Sequence, residues 1–265
     1  MSDSTGEADR RFGGVARLYG DAAADRIRAA HVVVVGIGGV GSWAAEALAR
    51  CGVGRLTLID MDHIAESNVN RQVHALGSTL GASKIEVMAA RIADISTEIR
   101  VDLIDDFVTV DNAQAMVTPL ADVVIDAIDV PRAKAAVIAL CAARAQPIIV
   151  CGAAGGRVDP LALRRSDLTE VRGDPLVASV RARLRREHGF TREKARLFGV
   201  EAIWSPSPPG APGREVRVEG DGQAGSAPGA PLACSGYGST VMVTAAMGLA
   251  AAAWAVEALL RRAMP

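Results

Sequence analysis

A short β-rich run, Val32–Val35, passes directly into Gly36-Ile37-Gly38-Gly39-Val40-Gly41 and then into a helical stretch. A GxGxxG between strand and helix lets backbone amides come close to a phosphate at the helix N-terminus. Asp60 follows at the end of a second apolar run, where a carboxylate can accept from ribose hydroxyls. Alone, these residues say only that a nucleotide binds, with NAD as the default. The residues that follow are not those of a dehydrogenase: Asp60-Met61-Asp62, then Ser67-Asn68-Val69-Asn70-Arg71-Gln72, then Gly81-Ala82-Ser83-Lys84, then Asp126-Ala127-Ile128-Asp129. Arg71 offers a planar fork for phosphate oxygens, Lys84 a point charge, and Asp129 a carboxylate able to hold Mg²⁺ across the phosphates. Asn68 and Gln72 would orient groups around them. Each residue also has a plain structural reading, such as Arg71 pairing with Asp60 or Asp62 on a surface loop, or Asp126 capping a strand end.

Positioning them requires an alternation of strands and helices, and the first 150 residues supply one. The runs Val32–Val35, Leu56–Ile59, Val101–Ile104, Val123–Ile125 and Ile148–Val150 read as strands. The stretches 40–50, 82–95 and 132–144 are long enough for crossover helices. Strand, helix, strand at this spacing predicts an α/β, Rossmann-like, doubly wound and mainly parallel sheet with helices on both faces. The near-continuous apolarity of the strands suits burial on both faces. Expected divisions are an N-terminal arm and helix over 1–30, a nucleotide-binding core over 31–156, and 157–265 as a C-terminal extension of the same single domain. That extension would hold a basic segment, a Pro/Gly-rich excursion over 205–231 and an apolar C-terminal helix.

Here the sequence resembles the ubiquitin-activating-enzyme-like (ThiF/MoeB/HesA) adenylyltransferases, whose GxGGxG, DxD, SNxxRQ, GxxK and DxxD-like elements occur in this order from Gly36 to Asp129. The arm RFGGVARLYG, the stretch NRQVHALGSTLGASKIEVMAARI, VIDAID and Cys234-Ser235-Gly236-Tyr237-Gly238-Ser239 are similar to one branch, the tRNA threonylcarbamoyladenosine dehydratases. The resemblance implies an ATP-dependent enzyme that adenylates the threonine carboxylate of N6-threonylcarbamoyladenosine at position 37 of tRNA. The neighbouring carbamoyl group then closes onto the activated carbon, releasing AMP and pyrophosphate. It also implies roles: Gly36, Gly38, Gly39, Gly41, Asp60, Asp62, Asn68, Gln72 and Asp126 around ATP, Arg71 and Lys84 on the phosphates, Asp129 on Mg²⁺. An N-terminal arginine, Arg17 before Arg11, would reach into a second subunit's site, making the active unit a homodimer. A monovalent cation near the Cys234–Ser239 turn and a cysteine desulfurase or sulfur-acceptor system as partner belong to the same implication. A sulfur-carrier adenylyltransferase is the alternative, with an NAD-dependent dehydrogenase more remote.

Composition narrows the remaining classes. The formal net charge is −1, so no globally basic nucleic-acid coat is present. Charge is segregated, however: 157–196 carries a net +5 against −5 in the first 156 residues. Arg164, Arg165, Arg181, Arg185 and Arg186 in that segment are candidates for tRNA phosphates, with a solvated helix face over 174–188 as the plainer reading. The four cysteines form no CxxC, which argues against zinc and against a disulfide scaffold. Cys151 reads as a small buried thiol. A polar, acidic start without a secretory signal suggests a cytoplasmic setting. The uncharged Val241–Val256 is shorter than the roughly 20 residues a membrane span needs and reads first as a buried or interfacial helix.

Overall fold

The computed structural model describes residues 4–193, 195–207 and 238–261. Two helices, α1 (Ser4–Tyr19) and α2 (Asp21–Ala29), lead into β1 (His31–Val35), α3 (Gly41–Arg50) and β2 (Arg55–Ile59). There follow α4 (Lys84–Ile95), β3 (Arg100–Ile104), a single turn α5 (Ala113–Met116), β4 (Val123–Asp126), α6 (Pro131–Ala143) and β5 (Ile148–Cys151). The chain ends with β6 (Arg164–Asp167), α7 (Pro175–Glu187), β7 (Glu201–Trp204) and α8 (Val241–Arg261).

The seven strands form one sheet in the order β3-β2-β1-β4-β5-β7-β6. All pairs are parallel except β6 with β7. The five expected strands and three crossover helices are present within a residue or two of their bounds. The antiparallel pair β6 and β7 lies beyond the expected strands: RRSD is too polar to read as a strand, and it sits at the sheet edge, where it covers the side of β7 away from β5. β3, at the opposite edge, is correspondingly half-exposed, whereas β1, β4 and β5 are buried throughout.

Side chains alternate between two cores. One face packs Val32, Val34, Leu56 and Leu58 against α3, α4 and α8; the other packs Val33, Val35, Val124 and Val150 against α6 and α7. α8 is long and apolar enough to cross a membrane, but it is mostly buried as a core helix. Its small residues let it lie close on α3: a Cβ at Gly248 would stand 2.4 Å from the Val40 carbonyl oxygen. The sheet order reverses between β1 and β4, because β1 runs on through α3 to β2 on one side while β4 lies on the other. Such a switch point opens a crevice at the carboxyl ends of the strands.

Candidate active site

That crevice is a cleft of about 460 Å³, a size that suits a small-molecule ligand. The loop after β1 forms its floor. Gly36 has a φ of 87°, a left-handed conformation that favours glycine. Gly41 approaches it so closely that a Cβ would lie 1.8 Å from the Gly36 carbonyl oxygen, so only glycine fits. Gly38, by contrast, faces open space, where a phosphate can approach its backbone. No side chain caps the N-terminus of α3, which leaves helix-end amides and the dipole to an anion.

Asp60 fixes the loop from the neighbouring strand. One carboxylate oxygen accepts from the Ile37 amide at 2.6 Å and the other from the Asp62 amide at 2.9 Å. Burial pushes its carboxyl above the usual range, against the opposing charge of Lys84. Lys84, at the start of α4 and itself buried, places Nζ 2.6 Å from an Asp62 oxygen. All three line the cleft.

Arg71 enters from the loop between β2 and α4, and two helices hold its backbone. Its carbonyl accepts from Trp43 Nε1 on α3 at 3.0 Å and from Thr244 Oγ1 on α8 at 3.3 Å. Its Nη1 donates to the Ser67 carbonyl at 2.6 Å and to Asn70 Oδ1 at 3.0 Å, which spreads the guanidinium along the wall. Asn68 and Gln72 line the same wall; Asn68 Oδ1 accepts from the Ala65 amide, while the buried Gln72 Oε1 has no partner among the described residues. Asp129 stands exposed at the mouth, after β4.

The structure thus brings Gly36, Gly38, Gly39, Asp60, Asp62, Asn68, Arg71, Gln72, Lys84 and Asp129 to one cleft. Asp126 is a correction. It was expected to touch ATP, but it is fully buried and paired with the equally buried Lys134 at 3.0 Å, away from the cleft lining. Lys134 Nζ also donates to the carbonyls of Asp126 and Ile128, so the pair ties the turn that carries Asp129. Burial raises the Asp126 carboxyl despite the neighbouring ammonium.

Most arginines of the basic segment also make contacts within the chain. Arg165 bonds Glu201 and Glu257, and Arg181 Nη1 donates to the Leu168 and Val171 carbonyls. Arg185 bonds the Thr191 carbonyl and lies 5.3 Å over the Phe198 ring, and Arg186 pairs with Glu187. Arg164 remains exposed. Arg17 is exposed on α1 and does not line the cleft of its own chain, and Arg11 donates to the Ile95 carbonyl at 2.6 Å.

Cys141 and Cys151 are buried thiols pushed up to about 12 by burial, as poor in thiolate as the sequence suggests for Cys151. The Cys234–Tyr237 part of the C-terminal turn and most of the Pro/Gly-rich stretch lie outside the described residues. Sequence reasoning missed Trp43, Thr244, Lys134 and Arg157. Lys134 carried a faint signal, as one of only three lysines against 26 arginines, and Thr244 another, as a hydroxyl inside an uncharged apolar run.

With this geometry in place, comparison with known proteins is specific. The chain matches the ThiF family over residues 12–265. The tRNA threonylcarbamoyladenosine dehydratase of Escherichia coli is 43% identical over 254 residues, covering 96% of this chain and 95% of that protein. That of Haemophilus influenzae is 40% identical over 255 residues, with the same coverage. Among solved structures, the E. coli tRNA N6-threonylcarbamoyladenosine dehydratase in complex with ATP aligns with a TM-score of 0.86 at 42% identity, covering 99% of this chain and 97% of that one. Its complex with AMP gives 0.87, covering 99% and 98%.

Proposed function

The chain belongs to the ThiF family, and from that premise we propose that it catalyses the ATP-dependent cyclising dehydration of N6-threonylcarbamoyladenosine in tRNA. The observation that carries this reading is the meeting of Arg71, Lys84, Asp129 and an uncapped helix N-terminus in one cleft, in a chain that aligns almost end to end with dehydratases.

A carboxylate is a poor electrophile, and its attack on the α-phosphorus of ATP forces two anions together while pyrophosphate leaves. Fixed positive charge where the phosphates converge is what lowers that barrier. The α3 N-terminus and Gly38 backbone receive the α-phosphate, and Arg71 and Lys84 take the charge that develops as pyrophosphate departs. The Asp62–Lys84 contact holds the ammonium at the cleft wall. Asp60, its oxygens already on two amides, keeps the loop shaped, and its remaining lone pairs are left to accept from ribose hydroxyls.

A metal fits the site through Asp129. It is an exposed carboxylate at the cleft mouth, and Mg²⁺ commonly uses one or two carboxylates with phosphates and water. When bound, Mg²⁺ supplies charge neutralisation across the phosphates. Among the described residues no cluster of three or more His, Cys, Asp or Glu could bind a metal without such help. Once the acyl adenylate has formed, the carbamoyl group of the same side chain closes onto the acyl carbon and AMP leaves with the carboxylate oxygen. The nucleophile is intramolecular and already close, so no transfer cysteine is needed.

A homodimer, with Arg17 of one copy directed at the other's cleft, belongs to this reading and is supported by Arg17 lying exposed and outside its own cleft. A cytoplasmic setting, a monovalent cation and association with a cysteine desulfurase or sulfur-acceptor system are its further parts. The test is nucleoside mass spectrometry of tRNA carrying N6-threonylcarbamoyladenosine after incubation with the protein and Mg·ATP, with AMP followed in parallel. Loss of one water per modified nucleoside together with AMP release is expected. An unchanged nucleoside alongside adenylation of a sulfur-carrier protein would replace this reading with the alternative.

A further inference from the structure

β5 leads into Gly152-Ala153-Ala154-Gly155-Gly156-Arg157, which forms the cleft wall opposite Asp60. In the sheet order β3-β2-β1-β4-β5, the carboxyl end of β2 carries the ribose-side aspartate, β1 the phosphate loop, and β5 this third loop. A molecule laid across the strand ends therefore has its nucleoside near β2 and its α-phosphate near β1. What joins the α-phosphate from the far side lies near β4 and β5.

Arg157 is 2% exposed. Its Nη2 donates to the Gly173 carbonyl at 2.9 Å, but Nε and Nη1 are buried without any partner among the described residues. The nearest opposing charge, Asp174, is committed elsewhere: one oxygen caps α7 through the Val177 amide at 3.0 Å, and the other accepts from the Ala153 amide at 2.9 Å. Gly152 is pressed against that carboxylate, where a Cβ would stand 2.4 Å away. The wall thus holds a cation whose remaining N–H groups have no partner among the described residues. Buried donors left in that state are rare and costly, and a guanidinium more so than an amide. Pro175 and Leu176 in the same lining offer these donors no side-chain acceptor, which points to a ligand in the cleft.

We infer that Arg157 binds the acyl substrate, donating from one of its two unpartnered groups, Nε or Nη1, to the carbamoyl oxygen of the threonylcarbamoyl group. This rests on the function proposed above. The carboxylate of that group must reach the α-phosphorus over the β1 loop, and the carbamoyl oxygen is the acceptor that remains to point toward β5. Holding it there also fixes the carbamoyl group beside the carbon it attacks. Arg157 is a specificity determinant for the modified nucleoside and contributes nothing to ATP affinity.

The experiment compares Arg157→Gln and Arg157→Lys with wild type for ATP affinity by calorimetry, and for kcat and KM with tRNA carrying N6-threonylcarbamoyladenosine. For Arg157→Gln, ATP affinity should stay within twofold while kcat/KM for the modified tRNA falls about 10- to 100-fold, the size expected for one lost hydrogen bond from a charged donor. Arg157→Lys, which keeps the charge beside Asp174 but not the fork, should fall between them and carries the test if Arg157→Gln fails to fold. Turnover within twofold of wild type, or ATP affinity and tRNA turnover falling together, would overturn the assignment. Absence of turnover in wild type would instead remove the proposed function.

Discussion

Replacing Lys134 by methionine tests what ties the Asp129 turn to the core. Both Lys134 and Asp126 have fully buried side chains, with Nζ 3.0 Å from the carboxylate oxygen. At an effective dielectric of about 20, two unit charges at that separation attract by about 5.5 kcal/mol, and removing one partner of such a pair costs about 3–5 kcal/mol because the other charge is left uncompensated. Unfolding entropy of about 0.5 kcal/mol per degree, for a chain of this size, turns that into a fall in Tm of about 5–10 °C. The pH dependence has a definite sign. Burial already raises the Asp126 carboxyl in the folded protein, and loss of Lys134 raises it further. A group whose folded pKa lies above its unfolded value contributes stability at low pH and loses it as pH rises through the folded pKa. Lys134→Met should therefore be destabilised less at pH 5 than at pH 8. Adding Asp126→Asn, which removes the stranded charge, should restore most of the lost Tm at pH 8. Thermal and urea unfolding at both pH values measure this. A Tm at pH 8 within about a degree of wild type, or a loss indifferent to both pH and Asp126→Asn, would refute the reasoning.

Two further outcomes follow from the site. Lys84→Ala should abolish detectable turnover while changing unfolding free energy by only about 1 kcal/mol, since its partner Asp62 is half-exposed; dehydration assay and urea melts check both. His74 is buried, has no ring partner among the described residues and is lowered to about 4, first by burial and then by Lys84 and Arg91. Its folded pKa lies below its unfolded value, so the stability it contributes is present above pH ~6.5 and is lost as pH falls toward about 4. Tm recorded from pH 8 to pH 4 should decline over that window in wild type and decline less in His74→Met.

The glycine loop, Asp60, Arg71 and Lys84 were legible in the sequence because each sits within a few residues of an element boundary that periodicity marks. The elements then do the rest: β1 and β2 are adjacent parallel strands, so Gly36 and Asp60 must end side by side. Asp126 misled for a physical reason. A strand-end aspartate five residues before helix α6 looks solvent-facing in one dimension, and only the fold shows Lys134 reaching back from within that helix to bury it. Arg157 was hidden among the arginines of a basic run, where charge count drew attention to a surface rather than to a wall. The same run shows what counting leaves out: Arg165 and Arg181 also bond Glu201, Glu257 and backbone carbonyls that lie tens of residues away or on another element.

The placement of Arg71 shows what no local pattern could have disclosed. Its carbonyl is gripped by Trp43 from α3 and Thr244 from α8, and a Cβ added to Gly39 would meet both the Arg71 and the Thr244 side chains within 3.3 Å. Phosphate loop, arginine and C-terminal helix therefore close on a single point. The helix can come that near only because Gly248 leaves room for the Val40 carbonyl. The Ala- and Gly-rich composition that makes Val241–Val256 resemble a membrane segment is thus what lets it complete a nucleotide site. A larger residue at Gly248 would push α8 outward, release the Thr244 contact and loosen Arg71 without touching any residue of the cleft floor.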